Sequence, residues 1–138
     1  LFFFPPPPPP PNMSARQGWL KTVGAYFRDE VTHILTTMTQ ALAAHPDRRF
    51  IWSEIKWFEM WWGNQTAETQ ATFKRLVKAG QLEFVGAGWS QSDEVSPSYR
   101  DMIDNTCTGH EFLRRTVGDA CPNARCVRFG WQIDMFSG

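Results

Sequence analysis

From residue 18 onward, hydrophobic and polar positions alternate between two periods, one helical and one extended. Val31, Ile34, Leu35, Met38 and Leu42 fall at three- and four-residue steps, which predicts one face of an amphipathic helix. Pro46 closes that helix. Residues 49–58, RFIWSEIKWF, are bulky, apolar and β-prone, and predict a largely buried strand. Asn64 to Thr66 offers capping side chains for a second helix with Phe73, Leu76 and Val77 on its inner face. Gly80 stands where a left-handed C-terminal cap is expected. Leu82 to Trp89, LEFVGAGW, predicts a second strand that ends in glycines and gives way to the polar stretch SQSDE. Ser96 followed by Pro97 predicts a third helix start, with Met102, Ile103, Phe112 and Leu113 as its apolar positions. Gly118 and Pro122 end it, and residues 125–133, RCVRFGWQI, predict a third strand that delivers Asp134 at its carboxyl end.

Strands separated by helices of this length form right-handed parallel units with the helices outside the sheet, so the fold class is α/β. In such sheets chemistry gathers at the carboxyl ends of the strands. Glu54, the loop from Ser90 to Glu94, and Asp134 fall there. A sheet of this size exposes a long edge, and the chain starts at Leu1 and stops at Gly138 directly after an apolar run. Those features predict a segment of a larger domain.

Composition narrows the function classes. Fourteen basic and fourteen acidic residues balance, with no basic stripe, which excludes an electrostatic nucleic-acid binder. No apolar run approaches the roughly 18 residues that a membrane-spanning helix needs. Seven Trp and eleven Phe are a surplus that serves either as core volume or as sugar-stacking surface. Cys107, Cys121 and Cys126 lack the spacing of a metal knuckle; one disulfide with a thiol left over and three free cysteines both remain open. Sequons at Asn12 and Asn64 fit a secretory-pathway protein. Residues 1–17 form a separate segment: Leu1 to Phe4 is too short for a signal-peptide core, though it fits the tail of one. The prolines from Pro5 to Pro11 favour an extended helix that joins no core. That tract reads as a linker, a sequence-assembly artefact, or a ligand for a proline-binding module.

Asp134 follows the apolar run FGWQI and is flanked by Met135 and Phe136, where ionisation is costly. A carboxylate in that setting is paired, metal-bound or catalytic, or it caps the next helix. Asp93 and Glu94 are adjacent acids in a strand-to-helix loop, a position that also suits solvated or dipole-directed carboxylates. Glu54 sits inside an aromatic segment and favours structural pairing. His33 and His110 lie within predicted helices and His45 beside Pro46, none at metal-pair spacing.

Several segments occur in an order that resembles glycoside hydrolase family 38, the retaining α-mannosidases, and most closely its lysosomal-type members. They are Gly18-Trp19-Leu20-Lys21-Thr22, Arg49-Phe50-Ile51, Glu54-Ile55, Trp61-Trp62, Gly80-Gln81-Leu82-Glu83-Phe84, Gly88-Trp89, Asp93-Glu94 and Trp131-Gln132-Ile133-Asp134-Met135-Phe136. The resemblance implies that residues 18–138 are part of an amino-terminal catalytic domain, a fragment of a seven-stranded parallel α/β barrel-like structure. It implies that Asp134 is the nucleophile and also a ligand of a catalytic Zn2+ ion, and that Trp19 and Phe136 line the sugar pocket. It implies mannose-containing glycans as substrate and the remainder of the catalytic domain as partner, in the lysosome or another secretory compartment.

The chain departs from the family pattern at points that carry chemistry. Two family zinc-ligand positions, a His and an Asp, are occupied by Ser14 and Arg16. Met135 replaces the family's usual proline, and Ser137 stands where a glycine precedes a family histidine. The remaining zinc ligand and the general acid are expected outside these 138 residues. The sequence therefore predicts a polypeptide inert by itself, within a parent that hydrolyses α-mannosides. The competing expectations are a non-catalytic carbohydrate-binding remnant of a mannosidase domain, and a polysaccharide deacetylase-like barrel. The latter would need a His/Asp ligand set that the chain lacks.

Overall fold

The computed structural model describes residues 20–92, 98–121 and 125–131. The chain enters through α1, Val23–Tyr26, whose first turn is capped by the Thr22 hydroxyl accepting from Ala25 N at 3.3 Å. A π-helical turn, Phe27–Val31, then leads into α2, Thr32–Ala44. Val31, Leu35, Met38 and Leu42 are buried along one side, as their spacing predicts. The helix stops at His45, ahead of Pro46. Its last carbonyls find a partner in the buried Gln81 amide, which donates to Leu42 O at 2.9 Å and His45 O at 3.2 Å.

The segment 49–58 corrects the sequence reading. Only β1, Phe50–Trp52, is extended, and α3, Ile55–Trp62, begins inside the expected strand. A short apolar run does not distinguish strand from helix. Here the run continues to Trp62 and acquires a helical period, with Ile55, Phe58 and Trp61 all buried. Helix α4, Ala67–Lys78, starts at Thr66, whose hydroxyl accepts from Thr69 N at 3.2 Å. Gly80 follows with φ of 68°, the left-handed cap expected there.

Strand β2, Leu82–Val85, is shorter than the expected 82–89 because the backbone turns at Gly86 and Ala87, with φ of 62° and 53°. Helix α5, Tyr99–Thr116, follows Ser98; Ser96 and Pro97, the expected start, lie outside the described residues. A 3-10 turn, Gly118–Ala120, and then β3, Val127–Phe129, complete the order. The strands form one parallel sheet in the order β1-β2-β3. Phe50 pairs with Leu82 and Trp52 with Phe84, and Phe84 pairs with Val127. A mixed α/β fold with a small parallel sheet is thereby established.

The core is aromatic. The Phe58 ring lies 4.9 Å from Phe73, 5.3 Å from Phe84 and 5.9 Å from Phe112, centroid to centroid. Trp57, Trp61, Phe58, Phe73 and Phe84 are fully buried, so much of the aromatic surplus is core volume. Helix α5 departs from its expected apolar face at one position. Leu113 is buried and Phe112 packs on the core, whereas Ile103 is 54% exposed on the opposite side with Tyr99.

Of the cysteine alternatives, Cys121 and Cys126 form a disulfide that ties the end of the α5 segment to the start of β3, and Cys107 is a free, exposed thiol. On the solvent side of α5, Glu111 accepts from Arg114 and Arg115, both at 2.7 Å. Hydrogen bonds from Arg114 and then Arg115 hold its carboxyl down at about 2 from an ordinary 4.5. A group whose folded pKa is depressed stabilises fully above its unfolded value and loses that contribution as pH falls through the folded one. The contribution is small at this exposed site. The urea midpoint of wild type should exceed that of Glu111→Gln above pH 4.5 and converge with it near pH 2. A gap that stays constant over that window would show that the carboxylate is not responsible.

Candidate functional site

The carboxyl ends of β1 and β2 are bound together by a loop that has no regular structure of its own. Beyond Val85 the chain makes a tight turn, Ala87 N donating back to Val85 O, with Ala87 fully buried in a left-handed conformation. A non-glycine residue held there costs on the order of 1–3 kcal/mol and persists only where its surroundings impose it.

The surroundings are two helices. Helix α3 starts beside the loop, and its orphan N-terminal donors use loop carbonyls as caps: Ile55 N donates to Gly88 O at 3.0 Å and Lys56 N to Trp89 O at 2.9 Å. Glu54, the residue before α3, makes no side-chain cap bond. Its carboxylate accepts instead from the indole of buried Trp57 at 3.1 Å and from Gln91 N at 3.3 Å. From the other side, Asn105 of α5 pairs with the loop through both ends of its amide. Its Oδ1 accepts from Ser90 N at 2.9 Å and its Nδ2 donates to Ser90 O at 2.8 Å. Its backbone carbonyl accepts from Trp89 N at 2.9 Å. One turn on, buried Gly109 lets α5 approach so closely that an added Cβ would collide with the Ala87 carbonyl oxygen and lie 2.9 Å from Gly88 C.

Residues on this loop are half-buried from Gly88 to Ser92. The Lys56 ammonium lies 5.3 Å from the Trp89 ring centroid, and Phe112 meets the same ring edge-on at 6.1 Å. His110 bonds Gly86 O through Nε2 at 3.0 Å, a contact to the turn and not to a metal partner. His33 is exposed on α2, and His45 ends that helix.

The sequence-predicted residues divide accordingly. Glu54 and the stretch from Ser90 to Ser92 meet at the strand ends as expected. Asp93, Glu94, Asp134, Trp19, Phe136, Ser14 and Arg16 lie outside the described residues. Asn105 was not singled out from the sequence. Its signal was an Asn with a Gly four residues later inside a helix, both poor helix formers, which marks a place where backbone comes close.

Comparison with known proteins settles the family. The model of the glycosyl hydrolases family 38 N-terminal domain matches residues 17–137. This chain belongs to glycosyl hydrolase family 38. It is 41% identical over 127 residues to an alpha-mannosidase of Canavalia ensiformis, covering 86% of the chain and 12% of that protein. It is 40% identical over 119 residues to alpha-mannosidase 2x of Mus musculus, covering 86% of the chain and 10% of that protein. It is 40% identical over 128 residues to lysosomal alpha-mannosidase of Cavia porcellus, covering 86% of the chain and 12% of that protein. The chain thus spans about a tenth of the length of the curated relatives it matches.

Positions 14 and 16, where the family resemblance expects two zinc ligands, precede the residues 17–137 that the family model matches. A serine hydroxyl is a poor zinc ligand, and the Arg16 guanidinium is a permanent cation that repels the ion. Among the described residues, no three His, Cys, Asp or Glu side chains gather as a metal site.

Proposed function

We propose that the protein to which this family 38 segment belongs hydrolyses terminal α-mannosidic bonds in glycans with retention of configuration. The observation that carries the reading is the family match across residues 17–137, together with its mannosidase relatives. The parallel sheet with a built loop at its carboxyl ends supports it, because ligands of such sheets bind there. In this reading the segment is part of a seven-stranded barrel-like domain, and further strands cover its edges.

Asp134 is the proposed nucleophile. Its carboxylate attacks the anomeric carbon as a general acid protonates the departing oxygen. Water, deprotonated by that same second carboxyl, then releases mannose from the ester. Trp19 and Phe136 stack on the apolar face of the sugar ring. Retention needs two carboxyl groups about 5–5.5 Å apart, and residues 1–138 offer one proposed partner of that pair. The 138-residue polypeptide is accordingly inert by itself, and zinc binding by the whole protein depends on donors other than Ser14 and Arg16. A secretory-pathway location, lysosomal or otherwise, accompanies this reading and is supported by the lysosomal relative and the exposed Asn64 sequon.

An aryl α-mannoside assay with added zinc tests both parts. The full-length protein should turn over, and Asp134→Asn should abolish that turnover. The 138-residue chain should remain silent at every zinc concentration. Turnover by the short chain would overturn its inertness, and a silent full-length protein would overturn the hydrolase reading. Ser14 and Arg16 favour one second reading, a carbohydrate-binding remnant. Zinc-independent mannose binding by a full-length protein without turnover would select it.

A further inference from the structure

We propose that Glu54 and Asn105 are positioning residues for the glycosidase reaction, clamping the loop after β2 from opposite sides; the proposal rests on the hydrolase reading above. Consecutive backbone groups from Gly88 O through Trp89 N, Trp89 O, Ser90 N and Ser90 O to Gln91 N all bond to α3, Glu54 or α5. A surface loop does not need this, since water satisfies its backbone at little cost. Bonding group after group to two separate helices fixes the path of the chain where strands end and substrate binds.

The two side chains divide the work. Asn105 presents an acceptor and a donor to the same residue, Ser90, as a strand neighbour would. Glu54 links the loop to the buried core through Trp57, so a shift of Gln91 would disturb a packed indole. Neither group needs to touch substrate. Each sets where the half-buried Trp89-to-Ser92 stretch lies, and misplacing a substrate-facing element by about 1 Å costs about a hundredfold in rate.

Glu54→Gln and Asn105→Ala in the full-length protein test the role. The Gln amide keeps the shape of Glu54 but offers only one acceptor oxygen to the Trp57 and Gln91 donors. Backbone amide exchange over residues 89–92 should accelerate by about tenfold to a hundredfold in each variant, the size of one lost hydrogen bond to a charged or fixed partner. On an aryl α-mannoside, kcat should fall by about tenfold to a hundredfold, with KM and both limbs of the pH profile retained.

Unchanged exchange in both variants would overturn the clamp. Faster exchange with unchanged kcat would reduce it to a structural role. Loss of one pH limb in Glu54→Gln would make Glu54 a proton-transfer group instead. If Asn105→Ala fails to fold, Glu54→Gln alone decides. A wild-type protein without turnover would overturn the hydrolase reading, and with it the positioning role, while the exchange data would still report whether the clamp exists.

Discussion

Phe58→Ala is expected to cost about 3–5 kcal/mol, the range for removing a buried phenyl ring from a core that collapses incompletely. Phe58 is fully buried and touches rings from α3, α4, β2 and α5, so its loss opens a cavity where all of these elements meet. Against a typical total of about 5–15 kcal/mol, that is roughly a fifth of the stability or more. Urea denaturation followed by tryptophan fluorescence measures it. Ile103→Ala, on the exposed face of α5, should stay within about 0.5 kcal/mol of wild type. Equal losses in the two variants would refute the assignment of the aromatic cluster as the core.

Gly109→Ala is the second large effect, and its sign runs against helix propensity. Alanine is better than glycine within a helix by about 1 kcal/mol. Here the new methyl would press on Ala87 O, Gly88 C and Trp89 N, all backbone atoms with no rotamer by which to move away. Overpacking costs about 1–3 kcal/mol, and contact with fixed backbone belongs at the upper end. A net loss of about 2 kcal/mol is expected, with looser exchange protection over residues 89–92. A variant as stable as wild type or more so would mean that α5 and the loop do not approach this closely.

How much of this was legible in the sequence follows from which interactions are local. Periodicity located α2, α4 and α5 because one face of each packs on the core and the other meets solvent. Gly80, Thr66 and Pro46 marked their ends through backbone rules that need no tertiary information. The failure at residues 55–58 has an equally physical cause. A short helix buried along most of its surface shows only a narrow polar face, here Lys56 and Glu59. A segment ending at Phe58 contains just the first of them, so Ile55 to Phe58 read as a strand until Glu59 and Trp61 supplied the next turn. Within the candidate site, Glu54 was legible as an acid in an aromatic setting that calls for partners. Its partners, Trp57 and Gln91, were not, since Gln91 lies on a different strand's loop. Asn105 is the sharper case. Its amide is complementary to Ser90, fifteen residues earlier, and nothing in the local pattern of α5 encodes that match. The assignments of Asp134, Trp19 and Phe136 came from family resemblance alone.

The strand order β1-β2-β3 also bears on how the chain matures. Each parallel strand pairs with the next one along the sequence, so β1 gains no ladder partner until Leu82 has been made, and β2 none on its other edge until Val127. By the time Phe84 has left the ribosome, Phe58, Trp61, Phe73 and Phe84 are all available to one another, with Phe112 still to come. The hydrophobic nucleus can therefore close in the order of synthesis, from the first strand inward. The loop at the strand ends is fixed only afterwards, because its anchor at Asn105 is translated later than the loop itself, and β3 joins the sheet later still.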